Sequence, residues 1–413
     1  MSGALADRLS GWLVPVMIVA GTLAVAPGGA TPFSGVKTGV LVAASVALVL
    51  RAVLCPSSTP APAVPRVLAG LWIGTLALAA LLGPAARPGG MWLEAAGGLV
   101  LLGLLQAPPE PVRVLRAMAG AGTGLAGVAV LQALGWDPFG WMGWRGDHPG
   151  ERMHIYGTLG NPDFVAAYLG ASLCVTVGEA VCAARLLTRR AWIAAVVLQL
   201  CAIAAVRSWG SLLALGAAAL SLLWTRRLPA RAELGGPKGR WWGIALGAAL
   251  VAAVLLVSVW GRSPGTALAG RLYLWSVAAP HVLDAPVLGH GPGSFETLWP
   301  SWEAEYWARG ASAEQERFAA PQDHAHNDFL EWLLELGLVG AVPRLLLLLA
   351  ALRAGRQAAD ARGRAALAAL VALAARALVD FPLQRPAELC LFAVLTALVV
   401  SPRASPPAAQ QSP

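Results

Sequence analysis

The sequence predicts an all-α polytopic membrane protein with about 12 transmembrane helices and a large loop between the ninth and the tenth. Of the 413 residues, 57% are hydrophobic and only 13% are charged, and the mean hydropathy is +0.64. A soluble globular chain carries about a quarter charged residues, so the apolar surplus must lie in lipid. The number of helices follows from apolar runs close to the roughly 20 residues that a bilayer-spanning helix needs.

Twelve apolar runs fit this length. They lie near 11–30, 38–55, 66–86, 91–106, 113–135, 161–184, 190–206, 209–225, 241–260, 329–352, 364–380 and 387–402. We interpret 190–225 as two helices because Arg207 and its polar neighbours interrupt it, and an unpaired arginine in mid-bilayer is costly. The first run resembles a signal peptide with Ala24-Val25-Ala26 as its cleavage site, but Pro15 interrupts it, which favours an uncleaved helix.

The placement of lysine and arginine predicts the orientation of these helices. Basic residues concentrate in the loops 185–190, 226–240 and 353–364, which all fall on one side of the membrane. By the positive-inside rule this side is the cytoplasm, and both termini lie there as well. The net charge of +8 therefore indicates topology and not nucleic-acid binding. The two long loops, 136–160 and 261–328, are expected on the periplasmic face.

These two loops contain all the histidines of the chain, namely His148, His154, His281, His290, His324 and His326. The larger loop also holds eight acidic residues and four arginines. Long ordered loops in a compact protein usually carry function. We therefore expect the site on the periplasmic face.

The first candidate site is the helix start around Asn161, Pro162 and Asp163. Asn161 suits an N-cap and Pro162 suits the first helical turn. One interpretation is only a capped helix. The other is that the exposed N–H groups and the positive end of the helix dipole hold an anion.

The second candidate site consists of Arg207 and Arg271. Arginine offers a permanent charge and a planar set of donors that matches phosphate oxygens. The alternative is that these side chains reach toward lipid headgroups at the interface. An acid-rich loop surrounds Arg271 and favours the functional interpretation there, while both interpretations stay open for Arg207.

The third candidate site is the segment from Asp323 to Asp328. A neutral imidazole, above all His326, can take a proton from a sugar hydroxyl or orient it. Asn327 and Asp328 could steer the ring. The alternatives are a metal site, since Asp323, His324, His326 and Asp328 are all of ligand types, or a structural polar loop.

A glycine-rich segment, 286–295, lies between the second and third candidates and contains His290. Its glycines permit a tight turn, but it lacks the ending of a nucleotide-binding phosphate loop. Trp299, Trp302 and Trp307 follow it. They could stack on sugars, although a position at the membrane interface is favoured.

Several motifs occur together in one order. They are Gly-Asn-Pro-Asp-Phe at 160–164, Arg271 with Trp275, Gly-His-Gly-Pro-Gly-Ser-Phe at 289–295, His-Asn-Asp at 326–328, Glu-Leu-Gly at 335–337 with Gly340, and Asp-Phe-Pro-Leu at 380–383. Across roughly 150–400 the chain resembles the O-antigen ligase and O-antigen polymerase superfamily of bacterial envelope enzymes. It departs from the family at Ser208-Trp209, where relatives often have Ser-Arg, and Arg207 could take that role.

The resemblance implies a metal-independent glycosyltransferase of the bacterial inner membrane that needs no cofactor. The donor would be a glycan on undecaprenyl diphosphate, and the acceptor would be lipid A core for a ligase or a lipid-linked glycan for a polymerase. His326 and Arg271 would be catalytic, His326 toward the acceptor hydroxyl and Arg271 toward the diphosphate charge. The expected substrate-binding residues are Arg207, Asn161, Asp163, His324, Asn327, Asp328, His290 and Trp275.

We expect N-terminal helices in 1–135, a ligase-like core in 136–400 and a disordered tail in 401–413. A ligase is slightly favoured over a polymerase. The alternative function is a transporter or flippase for a lipid-linked or anionic solute, and a third is a non-catalytic subunit. Transporters place polar groups near the bilayer midplane on repeated elements, whereas here they cluster toward one face.

Overall fold

The computed structural model describes residues 3–26, 31–55, 57, 59–142, 154–224, 264–310, 312–358 and 360–401. The predicted span 241–260, the basic loop 226–240, His148 and nearly all of the predicted tail lie outside these residues. Within the described part of the chain, all regular secondary structure is helical. The all-α prediction is confirmed to that extent.

The described residues form thirteen α-helices. They are α1 Gly3–Leu23, α2 Gly35–Leu54, α3 Ala63–Leu82, α4 Pro88–Gln106, α5 Pro111–Ala133, α6 Pro162–Cys182, α7 Leu186–Val206, α8 Trp209–Trp224, α9 Pro264–Ala278, α10 Phe295–Ala308, α11 Asp328–Gly355, α12 Ala361–Arg376 and α13 Pro386–Val400. Short 3-10 helices occupy Gly140–Met142, Ala279–Leu283, Ala313–Phe318 and Pro382–Gln384.

Six of the described helices are long and apolar enough to cross a membrane: α2, α3, α5, α6, α7 and α11. Shorter apolar helices of 10–17 residues cover Gly11–Leu23, Met91–Gln106, Trp209–Leu222 and Pro386–Val400. These ten segments overlap ten of the twelve predicted runs. The protein is thus a multi-pass membrane protein, while twelve crossings stay a prediction.

The helix α13 lies at the centre of the bundle. All of its residues from Pro386 to Val400 are buried, and it packs against α4, α11, α12 and α1. A helix that is apolar on every side is typical of an element enclosed by other helices. The turn that leads into α13 is therefore anchored to a helix in the core of the bundle.

The predicted loop 261–328 contains a folded helical segment. The helices α9 and α10 share a hydrophobic cluster formed by Tyr273, Leu274, Val277, Ala278, Phe295, Trp299, Trp302, Ala325 and Leu334. Trp299 and Trp302 are buried in this cluster, and Trp299 Nε1 donates to the carbonyl of Ala320 at 3.0 Å. The predicted interfacial position of these two rings is wrong, because they pack as the core of the segment instead.

The helix α11 is broken at Gly337, which has a φ of 59°. The glycine-rich segment lies beside the break and forms hydrogen bonds with the backbone N–H and C=O groups that have no partner within the helix there. The pairs are His290 N with Leu334 O at 2.8 Å, Gly291 N with Glu335 O at 2.9 Å, Leu338 N with Pro286 O at 2.9 Å, and Val339 N with Val287 O at 3.0 Å. The predicted single helix at 329–352 therefore consists of two helical pieces, and the glycine-rich segment bridges them by hydrogen bonds.

The same glycine-rich segment is bonded on its other side to the turn between α3 and α4. Ala85 N donates to the carbonyl of His290 at 2.9 Å, and Arg87 N donates to that of Pro292 at 2.8 Å. The buried carboxylate of Glu335 accepts the N–H groups of Gly293 and Phe295 at 2.9 and 3.0 Å. The segment thus joins α3, α4, α10 and α11 at one end of the bundle.

We expect Gly337→Ala to destabilise the protein by about 2 kcal/mol or more, because the left-handed conformation strains an alanine. A Cβ there would also lie 2.4 Å from the carbonyl carbon and oxygen of Val287. The temperature of half-unfolding in detergent, followed by circular dichroism, measures this loss. Gly120→Ala in α5, where a Cβ meets nothing within 4 Å, is the control and should leave stability unchanged or raise it. Equal effects at the two positions would contradict the role of the break.

Candidate active site

His326 occupies the last turn of the segment before α11 and has a left-handed backbone, with φ 49°. The following residue, Asn327, caps α11 by accepting the N–H groups of Phe329 and Leu330, both at 3.1 Å. The side chain of His326 is 35% exposed, and its Nδ1 lies 3.4 Å from Oδ1 of Asp380. One edge of the ring therefore faces a carboxylate within ion-pair distance, and about a third of the side chain is exposed to solvent.

Asp380 is in turn held by a buried arginine. Arg376, the last residue of α12, donates from Nε to Asp380 Oδ2 at 2.9 Å. Its guanidinium also donates to Ser208 Oγ at 2.8 Å and to Asp163 Oδ1 at 3.2 Å. Asp163 accepts a further hydrogen bond from Ser208 Oγ at 2.6 Å. One side chain thus connects the start of α6, the turn between α7 and α8, and the turn that carries Asp380.

The electrostatics of this cluster keep Asp380 ionised. Burial alone raises the pKa of a carboxyl group, but the charge of Arg376, then the contact with His326, hold the pKa of Asp380 well below its ordinary value. The charge of Arg271 acts in the same direction. Asp380 is therefore a carboxylate throughout the physiological pH range and can accept from an imidazole N–H.

Gly210 makes room for the arginine. A Cβ at Gly210 would lie 1.9 Å from Nη1 of Arg376 and 2.4 Å from its Cζ. Such distances are far inside van der Waals contact, so no side chain fits at this position without displacing the guanidinium. The turn Arg207–Gly210 is in this way shaped around a side chain from a distant helix.

The segment beside His326 is fixed by two more side chains. His324 Nδ1 lies 2.7 Å from Glu331 Oε1, and Glu331 Oε2 accepts the N–H of Ala325 at 2.8 Å. Trp275 Nε1 donates to the carbonyl of Ala325 at 2.9 Å. The predicted residues His324 and Trp275 thus do not contact His326 through these bonds but fix the backbone just before it.

Phe381 is the surface on which both imidazoles rest. The ring of His324 stacks on it with centroids 4.3 Å apart, and that of His326 meets it edge-on at 4.8 Å. The guanidinium of Arg385 lies 4.4 Å from the centroid of the same ring. Arginine above an aromatic face is a favourable cation–π contact. The residue after Asp380 therefore helps to orient the ring that Asp380 binds.

A cleft of about 350 Å³ opens beside His326. It is lined by Gly270, Arg271, Leu274, Arg317, Phe318, Gln322 and His326. Arg271 and His326, which are 55 positions apart in the chain, thus face one space. Although the predicted loop holds eight acidic residues, the cleft lining contains two arginines and no acid among the described residues. An anion with several oxygens suits such a cleft.

The other predicted site residues have structural partners. Asn161 caps α6 by accepting from Asp163 N at 2.8 Å, and buried Asp328 accepts from Leu383 N at 3.0 Å. His290 Nε2 lies 3.0 Å from the carbonyl oxygen of His281, inside the segment of α9 and α10. Arg207 is exposed in the left-handed turn after α7, with φ 48°, and it does not line the cleft.

Three of the four side chains considered for a metal contact different groups. His324 contacts Glu331, His326 contacts Asp380, and Asp328 accepts from a backbone N–H. Among the described residues, no group of three or more His, Cys, Asp or Glu is placed to hold a metal ion. No site role was predicted from the sequence for the residues of the ion cluster, Arg376, Ser208 and Asp380, although the last two lie in segments that were compared with the family. An arginine inside a predicted span is the signal that could have indicated them.

A comparison with protein families matches 194–343 of this chain to the O-antigen ligase family. The matched segment runs from α7 through α9 and α10 into α11, so it contains Arg207, Arg271 and His326. The match confirms the resemblance to the O-antigen ligase and polymerase superfamily. A comparison with curated proteins finds no match.

We expect Gly210→Ala to destabilise the protein by about 3 kcal/mol, because it displaces a buried guanidinium from its carboxylates. Half-unfolding temperature in detergent measures the effect. Gly216→Ala lies in the same helix, α8, where a Cβ meets nothing within 4 Å, and should be neutral. If both variants unfold together with wild type, the guanidinium does not need the space that Gly210 leaves.

Proposed function

We propose that this chain, whose 194–343 match the O-antigen ligase family, is a membrane glycosyltransferase. It moves a glycan from undecaprenyl diphosphate to a sugar hydroxyl, on lipid A core or on a second lipid-linked glycan. The observation that carries the proposal is the cleft in which His326 and Arg271 face one space within the matched segment. A cleft with a base and two guanidiniums suits a reaction that deprotonates a hydroxyl and releases a diphosphate.

His326 acts as the base toward the acceptor. Its Nδ1 faces the carboxylate of Asp380, which leaves Nε2 for the acceptor hydroxyl. The hydroxyl oxygen forms the new bond to the anomeric carbon, its proton passes to the imidazole, and the bond from that carbon to the diphosphate oxygen breaks. Asp380 steadies the imidazolium that results, as a carboxylate does for a catalytic histidine.

Arg271 and Arg317 receive the diphosphate. The leaving group gains negative charge as its bond to the sugar breaks, and guanidinium donors stabilise that charge in the transition state. Because a diphosphate is already a good leaving group, no general acid is required. Arg207 does not line the cleft, so we give it only a secondary role in binding the donor. His324, Trp275 and Asp163 position the base.

We place the cleft on the periplasmic face of the bacterial inner membrane and both termini in the cytoplasm. Residues 136–400 carry out the transfer. The distribution of basic residues supports this orientation, and the motif order supports the functional core. Neither nucleotide nor metal is needed, since the lipid diphosphate supplies the activated sugar.

A transporter or flippase is the alternative. Transporters use broken helices whose free ends bind ions or substrates, and α11 is broken. Here, however, the glycine-rich segment fills the break and bonds its N–H and C=O groups. A break without open ends offers no ion site, so it does not favour transport.

Transfer by the purified protein tests the proposal. The protein in detergent receives a lipid-diphosphate glycan and lipid A core, with EDTA and without nucleotide, and the acceptor is followed by gel shift. We expect transfer by wild type and a loss of at least about 100-fold in His326→Ala, because general base catalysis contributes about 100- to 10,000-fold. A ladder of lengthening donor with untouched acceptor indicates a polymerase. Solute movement in vesicles without any transfer favours the transporter.

We expect Arg317→Ala to lower transfer about 10-fold or more by raising the cost of the diphosphate charge. Arg309→Ala is the matched control, since Arg309 belongs to the same segment but pairs with exposed Glu305 on α10 and does not line the cleft. It should retain wild-type transfer. Arg317→Lys keeps the charge but not the planar donors, so intermediate activity is expected. Equal transfer by the two alanine variants would remove Arg317 from the site.

A further inference from the structure

A second concave surface lies at the opposite end of the described bundle from His326, between α1 and α5. It is a groove of about 570 Å³. Its lining consists of Trp12, Pro15, Val16, Val19, Ala20, Arg113, Arg116 and Ala117. Nothing in the proposed transfer reaction uses these residues, so the groove calls for an explanation of its own.

The long wall of the groove is apolar and faces lipid. Trp12, Val16 and Val19 lie at helical spacings of four and three residues, hence on one face of α1, and the exposed fraction of Val16 is 58%. The stretch from Trp12 to Val19 is about 10 Å long at the rise of an α-helix. In a membrane protein such a face contacts acyl chains, and the groove is long enough to hold part of one.

The short wall of the groove is basic. Arg113 and Arg116 lie in the first two turns of α5, and their side chains are 52% and 55% exposed. Arg113 lies 5.9 Å from the ring centroid of Trp12. Tryptophan and arginine together are typical of the level of the lipid headgroups. The groove therefore runs from headgroup level into the apolar interior.

The carboxylates near these arginines are already used. Glu110 caps α5 by accepting the N–H groups of Val112 and Arg113 at 2.9 and 2.8 Å. Buried Glu179 accepts from Arg116 at 3.2 Å and from Arg362 at 2.5 Å. Each arginine of the groove thus has a carboxylate partner, and Arg116 shares Glu179 with Arg362. More than half of each of the two arginine side chains stays exposed, so both guanidiniums can also be reached from the groove.

Gly11 brings one of the guanidiniums onto α1. The guanidinium lies against α1 at Gly11, where a Cβ would be 2.8 Å from Nη1 of Arg113. Arg113 thus contacts both helices that form the groove. By the distribution of lysine and arginine, this end is the cytoplasmic one, where anionic lipids attract basic groups.

We propose that this groove binds an anionic phospholipid. Its phosphate lies between Arg113 and Arg116, and one acyl chain extends along Val16 and Val19. A zwitterionic phospholipid offers the same chain without net charge, so its headgroup gains less from the two exposed guanidiniums. The site is independent of the transfer reaction, and its test requires no glycan.

Native mass spectrometry of the delipidated full-length protein tests the proposal, with phosphatidylglycerol or phosphatidylethanolamine of identical acyl chains added. We expect wild type to bind phosphatidylglycerol about fivefold more tightly, since one basic group near a membrane surface contributes about 1 kcal/mol. Arg113→Gln should abolish this preference, and Arg113→Lys should restore it. Val16→Trp, which fills the groove, should weaken the binding of both lipids.

Two matched variants serve as controls. Arg353→Gln removes an exposed arginine from the last turn of α11, on the same predicted side. Val67→Trp enlarges a valine of α3 that is 60% exposed and does not line this groove. Both should bind lipids as wild type does. Equal binding of the two lipids by wild type, or a preference that survives Arg113→Gln, would leave only ordinary lipid contact and overturn the proposal.

Discussion

The buried charge of Arg376 is the constraint on which the active-site end of the bundle depends. A guanidinium removed from water costs several kcal/mol unless carboxylates and further hydrogen bonds compensate it. Asp163, Asp380 and Ser208 provide that compensation, and each comes from a different part of the chain. The position of one side chain therefore fixes the start of α6, the turn into α8 and the turn after α12. Arg376 fixes Asp380, and Asp380 in turn faces the imidazole of His326.

The broken helix α11 supports His326 from the other direction. The helix begins at Asp328, two residues after His326. The position of α11 along its axis therefore determines the position of the imidazole. The glycine-rich segment holds the helix through four backbone hydrogen bonds across the break at Gly337. It also joins the break to the turn between α3 and α4. The turn between α3 and α4, which lies outside the matched segment 194–343, thus helps to position His326.

The sequence predicts what local pattern determines. Apolar runs of the right length indicated the positions of the helices, and the segment before α11 indicated His326. The ion cluster could not be derived in this way, because Asp163 and Arg376 are 213 positions apart and no local rule pairs them. The break in α11 could not be predicted for the same reason. The local sequence around Gly337 is compatible with a continuous helix, and the break depends on the distant segment 286–291. Trp299 and Trp302 were assigned to the interface because their buried cluster is likewise formed at long range.

In the proposed reaction, the charges around His326 let one small site serve both reactants. The carboxylates of Asp163 and Asp380 lie on either side of the guanidinium of Arg376, and Asp380 faces the imidazole. In the proposed reaction, Asp380 stabilises the positive charge that the imidazole acquires from the acceptor. On the open side of the ring, Arg271 and Arg317 present positive charge without a lining acid among the described residues. In the proposed reaction, the proton is thus held on the side of Asp380 and the diphosphate charge on the side of the cleft arginines, so opposite sides of one histidine serve the two reactants.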